Sequence, residues 1–318
     1  MPAPRETAII VRAARLYYEQ DRSQAQIADE LGLSRSNVSR ILRQARERGI
    51  VEVTIHDPEG PPRREEALEA AVRAAFTLRE AHVVQVPRVD GLEAVARQCG
   101  MLITQRARTA ASIGVSWGHT LRAVVEHVEP VRRRPSPRVL PLVGGLSAMD
   151  ELDSGESVLR TLAQRLGARP QMLYAPAVLE SATAAQTLRG ESSIGDVLEE
   201  AAGVELAVVG IGSVGEHTSP GLVRLMRLNE QEHAAFLAQD PVGDVCGRFV
   251  DPSGVPLGAP TDQRVLAVTF SQLLRIPEVI GAAAGAEKAP GVAGVLRSGA
   301  VDTLVVDVDL ARALLEAR

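Results

Sequence analysis

Residues 23–42 read Ser-Gln-Ala-Gln-Ile-Ala-Asp-Glu-Leu-Gly-Leu-Ser-Arg-Ser-Asn-Val-Ser-Arg-Ile-Leu, and this stretch decides the fold of the N-terminal part. Ser23 stands where it caps a helix over Gln24 to Leu31, with Ile27, Ala28 and Leu31 on the inner face. Gly32 follows where the chain must turn with positive φ, and Ser34 caps a further helix from Arg35 to about Arg48. Two helices crossing steeply need a small residue where they touch, and Ala28 supplies it. Gly32 then makes the turn, and Val38, Ile41 and Leu42 face back into the same small core. That spacing predicts a helix-turn-helix whose second helix enters a DNA major groove. A helix over residues 7–20, with Ile9, Ile10, Ala13, Ala14, Leu16 and Tyr17 at helical spacing, precedes the pair.

The outward face of the second helix carries Arg35, Ser36, Asn37, Ser39, Arg40 and Arg43. An arginine fork matches the edge of guanine, an asparagine amide that of adenine, and a serine hydroxyl suits bases or phosphates. Arg35, Ser36, Asn37 and Arg40 are therefore candidates for base contacts, and Ser23, Gln24 and Arg43 for the backbone. Any one of these residues alone would suit a plain three-helix module with a solvated arginine face; the conjunction points to DNA. Charge agrees. Residues 34–48 hold five arginines and one acid, Glu47, whereas the whole chain carries −5, so the remainder stands at −9. A short basic helix on an acidic body is the footprint of local phosphate contact.

Ile50 to Ile55 alternates as a short strand beside the helices, giving a winged-type unit, and Asp57-Pro58-Glu59-Gly60-Pro61-Pro62 breaks regular structure. The expected organisation is a DNA-binding domain over 1–57, a linker over 58–62 and a second domain over 63–318. With 45% hydrophobic residues and only 3% aromatics, the larger core must be built from Val, Leu, Ile and Ala, as in helices packed on a buried parallel sheet. Candidate strands are 82–86, 112–115, 139–142, 171–174, 206–211, 279–282 and 303–306, with amphipathic stretches between most of them, which predicts an α/β domain. A helical stretch over 63–79 suits a dimer contact or ordinary core packing equally. Cys99 and Cys246 have no metal-site spacing and form no disulfide framework, and no apolar run reaches membrane-spanning length. A cytoplasmic protein without cofactor or metal is expected.

Three turns are glycine-rich at predicted strand ends: Gly114 to Thr120, Val143-Gly144-Gly145-Leu146, and Gly210 to Gly215. Such ends leave backbone N–H groups at helix N-termini, where anions bind. No turn has the Walker lysine or the dinucleotide spacing. Lys288 is the sole lysine beside 34 arginines, which suits a site needing a compact ammonium, or else a solvated surface residue.

In its motifs the chain resembles the SorC family of sugar-binding bacterial regulators, related to the DeoR-type regulators. The matching residues are Leu16-Tyr17-Tyr18-Glu19, the stretch Gln24 to Val53, Gly114-Val115-Ser116-Trp117-Gly118, Gly210-Ile211-Gly212-Ser213, Gly243 to Phe249, and Gly285-Ala286-Glu287-Lys288. The resemblance implies an effector domain like sugar-phosphate isomerases and deaminases, a phosphorylated sugar that alters operator affinity, and a homodimer or homotetramer. It places a phosphate cradle at Ser116, Trp117 and Gly118, with Gly144, Gly145 and Lys288 near, and sugar hydroxyls on groups such as Asp244; Gly212 and Ser213 belong to the same candidate site. Trp117 could equally pack the sheet end, Asp244 could be a turn-former before a 246–250 strand, and Cys246 reads as a small core residue. His119, Glu216 and His217 are further polar loop residues. An enzyme with a DNA-binding appendage needs an acid–base pair at the substrate, and no compact motif supplies one. A DNA-binding scaffold that only oligomerises is the other alternative; repression fits better than activation.

Overall fold

The computed structural model describes residues 4–51, 62–85, 91–132, 134–146, 155–215 and 219–317, and the chain divides into two compact units, 1–60 and 61–318. The first unit holds α1 (Pro4–Tyr18), α2 (Gln24–Leu31) and α3 (Arg35–Glu47). Ser23 accepts the Gln26 amide while the Gln26 side chain accepts the Ser23 amide, a reciprocal cap that fixes where α2 begins. Gly32 ends α2 at φ 66°, and Ser34 accepts the Asn37 amide to start α3. Ala13, Leu16, Ile27, Ala28, Val38 and Leu42 close one core; Ile10, Ala14 and Ala45 close a second, with Ile50 and Val51 against it. Ile9 departs from expectation: it lies at the rim of the apolar arc of α1 and is 45% exposed. The strand expected over 50–55 falls, from residue 52 on, outside the described residues, as does the linker up to residue 61.

In the second unit the strands are β1 (Glu80–Val84), β2 (Ser112–Val115), β3 (Arg138–Pro141), β4 (Leu206–Ser213), β5 (Gly243–Val245), β6 (Arg248–Val250), β7 (Glu278–Ala282) and β8 (Thr303–Asp307). Six form a sheet in the order β1-β8-β7-β4-β2-β3, and every neighbouring pair among them is parallel. Strand residues alternate between two cores, as a period of two requires. Ile113, Val139, Val208, Ile280 and Val305 meet α5 (Gly91–Arg106), α6 (His119–Glu126) and α7 (Gly155–Arg165) on one face. Leu140, Val209, Val279, Leu304 and Val306 meet α4 (Glu66–Phe76), α13 (Ala289–Arg297) and α14 (Val308–Glu316) on the other. The stretch predicted over 63–79 is thus a core-packing helix, with Val72 and Phe76 buried.

Two expectations are corrected. Residues 171–174 form no strand: the segment runs beside β3 and its following turn through isolated bridges at Pro170 and Pro176. Each proline removes an N–H that a ladder would need. Asp244 is not a turn-former; it lies within β5, and the two-residue turn to β6 is Cys246-Gly247, both left-handed at φ 53° and 75°. Cys246 is buried, but as a turn residue rather than a strand one.

From β2 the chain goes outward through α6 to β3, then returns to the other side of β2 as β4, which leads toward β7. The loops leaving β2 and β4 therefore diverge, opening a crevice beyond their carboxyl ends at the switch point of a doubly wound sheet.

Candidate functional site

On α3, Val38, Leu42 and Ala45 point inward, leaving Arg35, Ser36, Arg40 and Arg43 exposed and Asn37 and Ser39 half-buried beside them. Arg40 Nη2 donates to Asn37 Oδ1 at 3.2 Å, and the hydroxyls of Ser34 and Ser36 pair at 3.0 Å. Ser23 is exposed and Gln24 half-buried at the start of α2. All eight candidate DNA contacts thus belong to α3 or the α2 N-terminus.

In the second unit a small cavity opens at the β2/β4 switch point, the place where open α/β sheets bind ligands. The loop after β2 forms one wall. Ser116 donates its amide to Val208 O at 3.0 Å and accepts the Gly210 amide on its hydroxyl at 3.2 Å, tying that loop to β4. Trp117 lines the cavity and donates Nε1 to Gly144 O at 2.7 Å, so the one ring both walls the site and anchors it to the turn after β3. Gly118, at φ 119°, is the N-cap of α6, whose first turn has no side-chain cap. The positive dipole end of a helix N-terminus favours an anion there. His119, exposed, and Thr120, buried, line the same wall.

The opposite wall is the end of β4 with the β5–β6 hairpin. Gly212 faces Asp244 across the antiparallel pair β4–β5. A Cβ at 212 would fall 2.1 Å from Asp244 Oδ1 and 2.6 Å from Ser219 Oγ, so this glycine makes room for the pair. Ser219, the first residue of α10 (Ser219–Leu225), donates to Asp244 Oδ1 at 2.5 Å. Burial pushes the Asp244 carboxyl above its ordinary range, opposed by the hydrogen bonds from Ser219 and the Gly247 backbone. The Cys246 thiol is pushed up to about 12, first by burial and then by the nearby carboxylate, so it is a neutral wall. Ser213 lies under α13, where Gly291 lets the helix close on β4. Lys288, in the short 3₁₀ turn before α13, completes the lining.

Two sequence candidates stand apart. Gly144 and Gly145 do not line the cavity, and their amides donate to Leu266 O and Ala175 O, each at 2.9 Å. Glu216 and His217 lie outside the described residues. Sequence reasoning missed Ser219 and Leu222, and it named Thr120 and Gly247 only within longer motifs. A Ser-Pro-Gly helix start at 219–221 was a usable signal; the approach of Ser219 to a carboxylate 25 residues away was not. Among the described residues there is no cluster with metal-site geometry, and no helix is long and apolar enough to cross a membrane.

The model of the family described as "Putative sugar-binding domain" matches residues 61–316, and that of Sigma-70, region 4 matches residues 3–48. The chain is 30% identical over 308 residues to the deoxyribonucleoside regulator of Bacillus subtilis, covering 96% of each chain. To the sorbitol operon regulator of Klebsiella pneumoniae it is 29% identical, covering 97% of this chain and 98% of the relative. The crystal structure of that full-length regulator, SorC, superposes with a TM-score of 0.72 at 28% identity, over 97% of this chain and 98% of the other. A helix-turn-helix, a switch-point cavity and these full-length matches agree: the chain belongs to the SorC-type family of sugar-binding transcriptional regulators, proteins that regulate rather than catalyse.

Proposed function

We propose that the affinity of this regulator for its operator is set by a small sugar phosphate bound in the switch-point cavity. The observation that carries the reading is the uncapped N-terminus of α6 opening on the same cavity as Lys288 and Asp244. A phosphate takes the amides after Gly118 with Lys288 as its counter-charge. Ser116, Ser213 and Asp244 hold sugar hydroxyls, and Trp117 walls the ring. Gly212 serves by leaving space. Gly144 and Gly145 act at one remove, through the carbonyl that holds Trp117.

In the first unit, Arg35, Ser36 and Arg40 read base edges, Asn37 and Ser39 belong to the same DNA-facing surface, and Ser23, Gln24 and Arg43 hold phosphates. Two recognition helices acting together require a homo-oligomer and a repeated or palindromic operator. Effector binds the operator-competent and incompetent states unequally and so shifts their populations, with release and induction as the expected sign. The test is calorimetry of the full chain against free sugars and their phosphates, with Lys288→Met alongside. Binding that needs the phosphate and weakens in the variant supports the reading. If no compound binds, the scaffold alternative replaces it.

A further inference from the structure

We propose that Asn37 is a positioning residue for Arg40, and that the two side chains read one guanine as a unit. This rests on the reading of α3 as the base-reading helix. The side chains lie three residues apart, where helix neighbours meet, and Arg40 Nη2 donates to Asn37 Oδ1 at 3.2 Å. The neighbouring serines are engaged otherwise: Ser34 and Ser36 pair with each other, and Ser34 accepts the backbone amide of Asn37 rather than its side chain.

A guanidinium has five N–H donors, so one bond to Asn37 leaves a fork for O6 and N7 of guanine. An asparagine reading adenine must accept and donate at once from one carboxamide edge. With its oxygen turned along the helix toward Arg40, Asn37 is not laid out for that pair. Its effect is to narrow the conformations of a long side chain before DNA arrives, which lowers the entropic cost of ordering that chain on the base. The sequence gives Asn37 an adenine of its own; the contact reassigns it to the guanine of Arg40.

The test uses the full chain and a duplex selected by the wild-type protein from a random-sequence library, with each base then varied in turn. Arg40→Ala should lose affinity by about 5- to 150-fold, together with the preference for one guanine. Asn37→Ala should lose about 3- to 10-fold at that same guanine, and the double variant should bind as Arg40→Ala alone. Arg40→Lys, which keeps charge but not the fork, should retain non-specific binding and lose the guanine preference. The melting temperature of Asn37→Ala should stay near wild type, because the cap uses only its backbone.

Losses that multiply in the double variant, or an Asn37→Ala effect confined to an adenine, overturn the pairing while leaving α3 as the reading helix. If Arg40→Ala leaves operator affinity unchanged, the assignment of α3 fails and the pairing fails with it.

Discussion

Ser219 Oγ stands 2.5 Å from Asp244 Oδ1 and ties the start of α10 to the middle of β5 beneath the cavity. A Cβ at Gly212 would fall on both atoms of this bond. Gly212→Ala should therefore drive the carboxylate and hydroxyl apart and cost about 1–3 kcal/mol, the usual range for overpacking a tight site. Urea denaturation checks the stability, and calorimetry should show weakened effector binding. A variant with wild-type stability would mean that the pair yields without cost.

The acid itself predicts a pH dependence. Burial raises the Asp244 carboxyl above its ordinary value, so the folded state binds that proton more tightly than the unfolded one does. Its contribution to stability is complete below the unfolded pKa and is lost as pH rises through the folded value. Asp244→Asn removes the titration and should gain stability relative to wild type as pH climbs above the ordinary carboxylate range. Urea midpoints measured for both proteins from acid to neutral pH would show it; a gap that does not change with pH would contradict it.

Gly118 has φ 119° with open space where a Cβ would go. Substitution there is a matter of backbone strain alone. Gly118→Ala should cost about 1–3 kcal/mol and re-aim the first turn of α6. Phosphate-bearing effectors should lose more affinity in this variant than the corresponding free sugars, as read by calorimetry.

Trp117 is the sole tryptophan and lines the cavity, so intrinsic emission reports on the site directly. Effector should shift that emission in a saturable way. Trp117→Phe leaves the Gly144 carbonyl without its 2.7 Å donor and should cost about 1–3 kcal/mol in a thermal or urea melt.

Ser34 caps α3 through the Asn37 amide. Ser34→Ala should cost the first unit about 1 kcal/mol and lower operator affinity. Effector affinity should be unchanged, and a fall in both would show that the two units are not independent.

The helix-turn-helix was legible because its signals are local. Ser23, Gly32 and Ser34 each act within four residues of their own position, and α2 begins and ends where they put it. The central strands were legible for the same reason, since β-branched runs of period two need no partner to be recognised. Strand order was not, because placing β4 between β2 and β7 depends on contacts between segments far apart in the chain. The glycine turns show the limit most clearly. Gly118 and Gly144 look alike in sequence, yet one caps a helix facing the cavity and the other gives its amide to Leu266. Residues 171–174 carry an extended pattern, but Pro170 and Pro176 keep the segment from pairing as a strand. The strand expected over 246–250 begins only at Arg248, because Cys246 adopts a left-handed turn that a non-glycine residue rarely takes.

β4 changes allegiance along its length. Leu206 to Gly210 pair in parallel with β7, whereas Ile211 to Ser213 pair antiparallel with β5. The hairpin from Gly243 to Val250 is thereby a cassette clipped onto the last three residues of a strand whose earlier part is held by the sheet. Val245, Phe249 and Val250 of that hairpin belong to the core on one face of the sheet, while Asp244, Cys246 and Gly247 line the cavity. A change in the hairpin therefore acts on the cavity and on that core together.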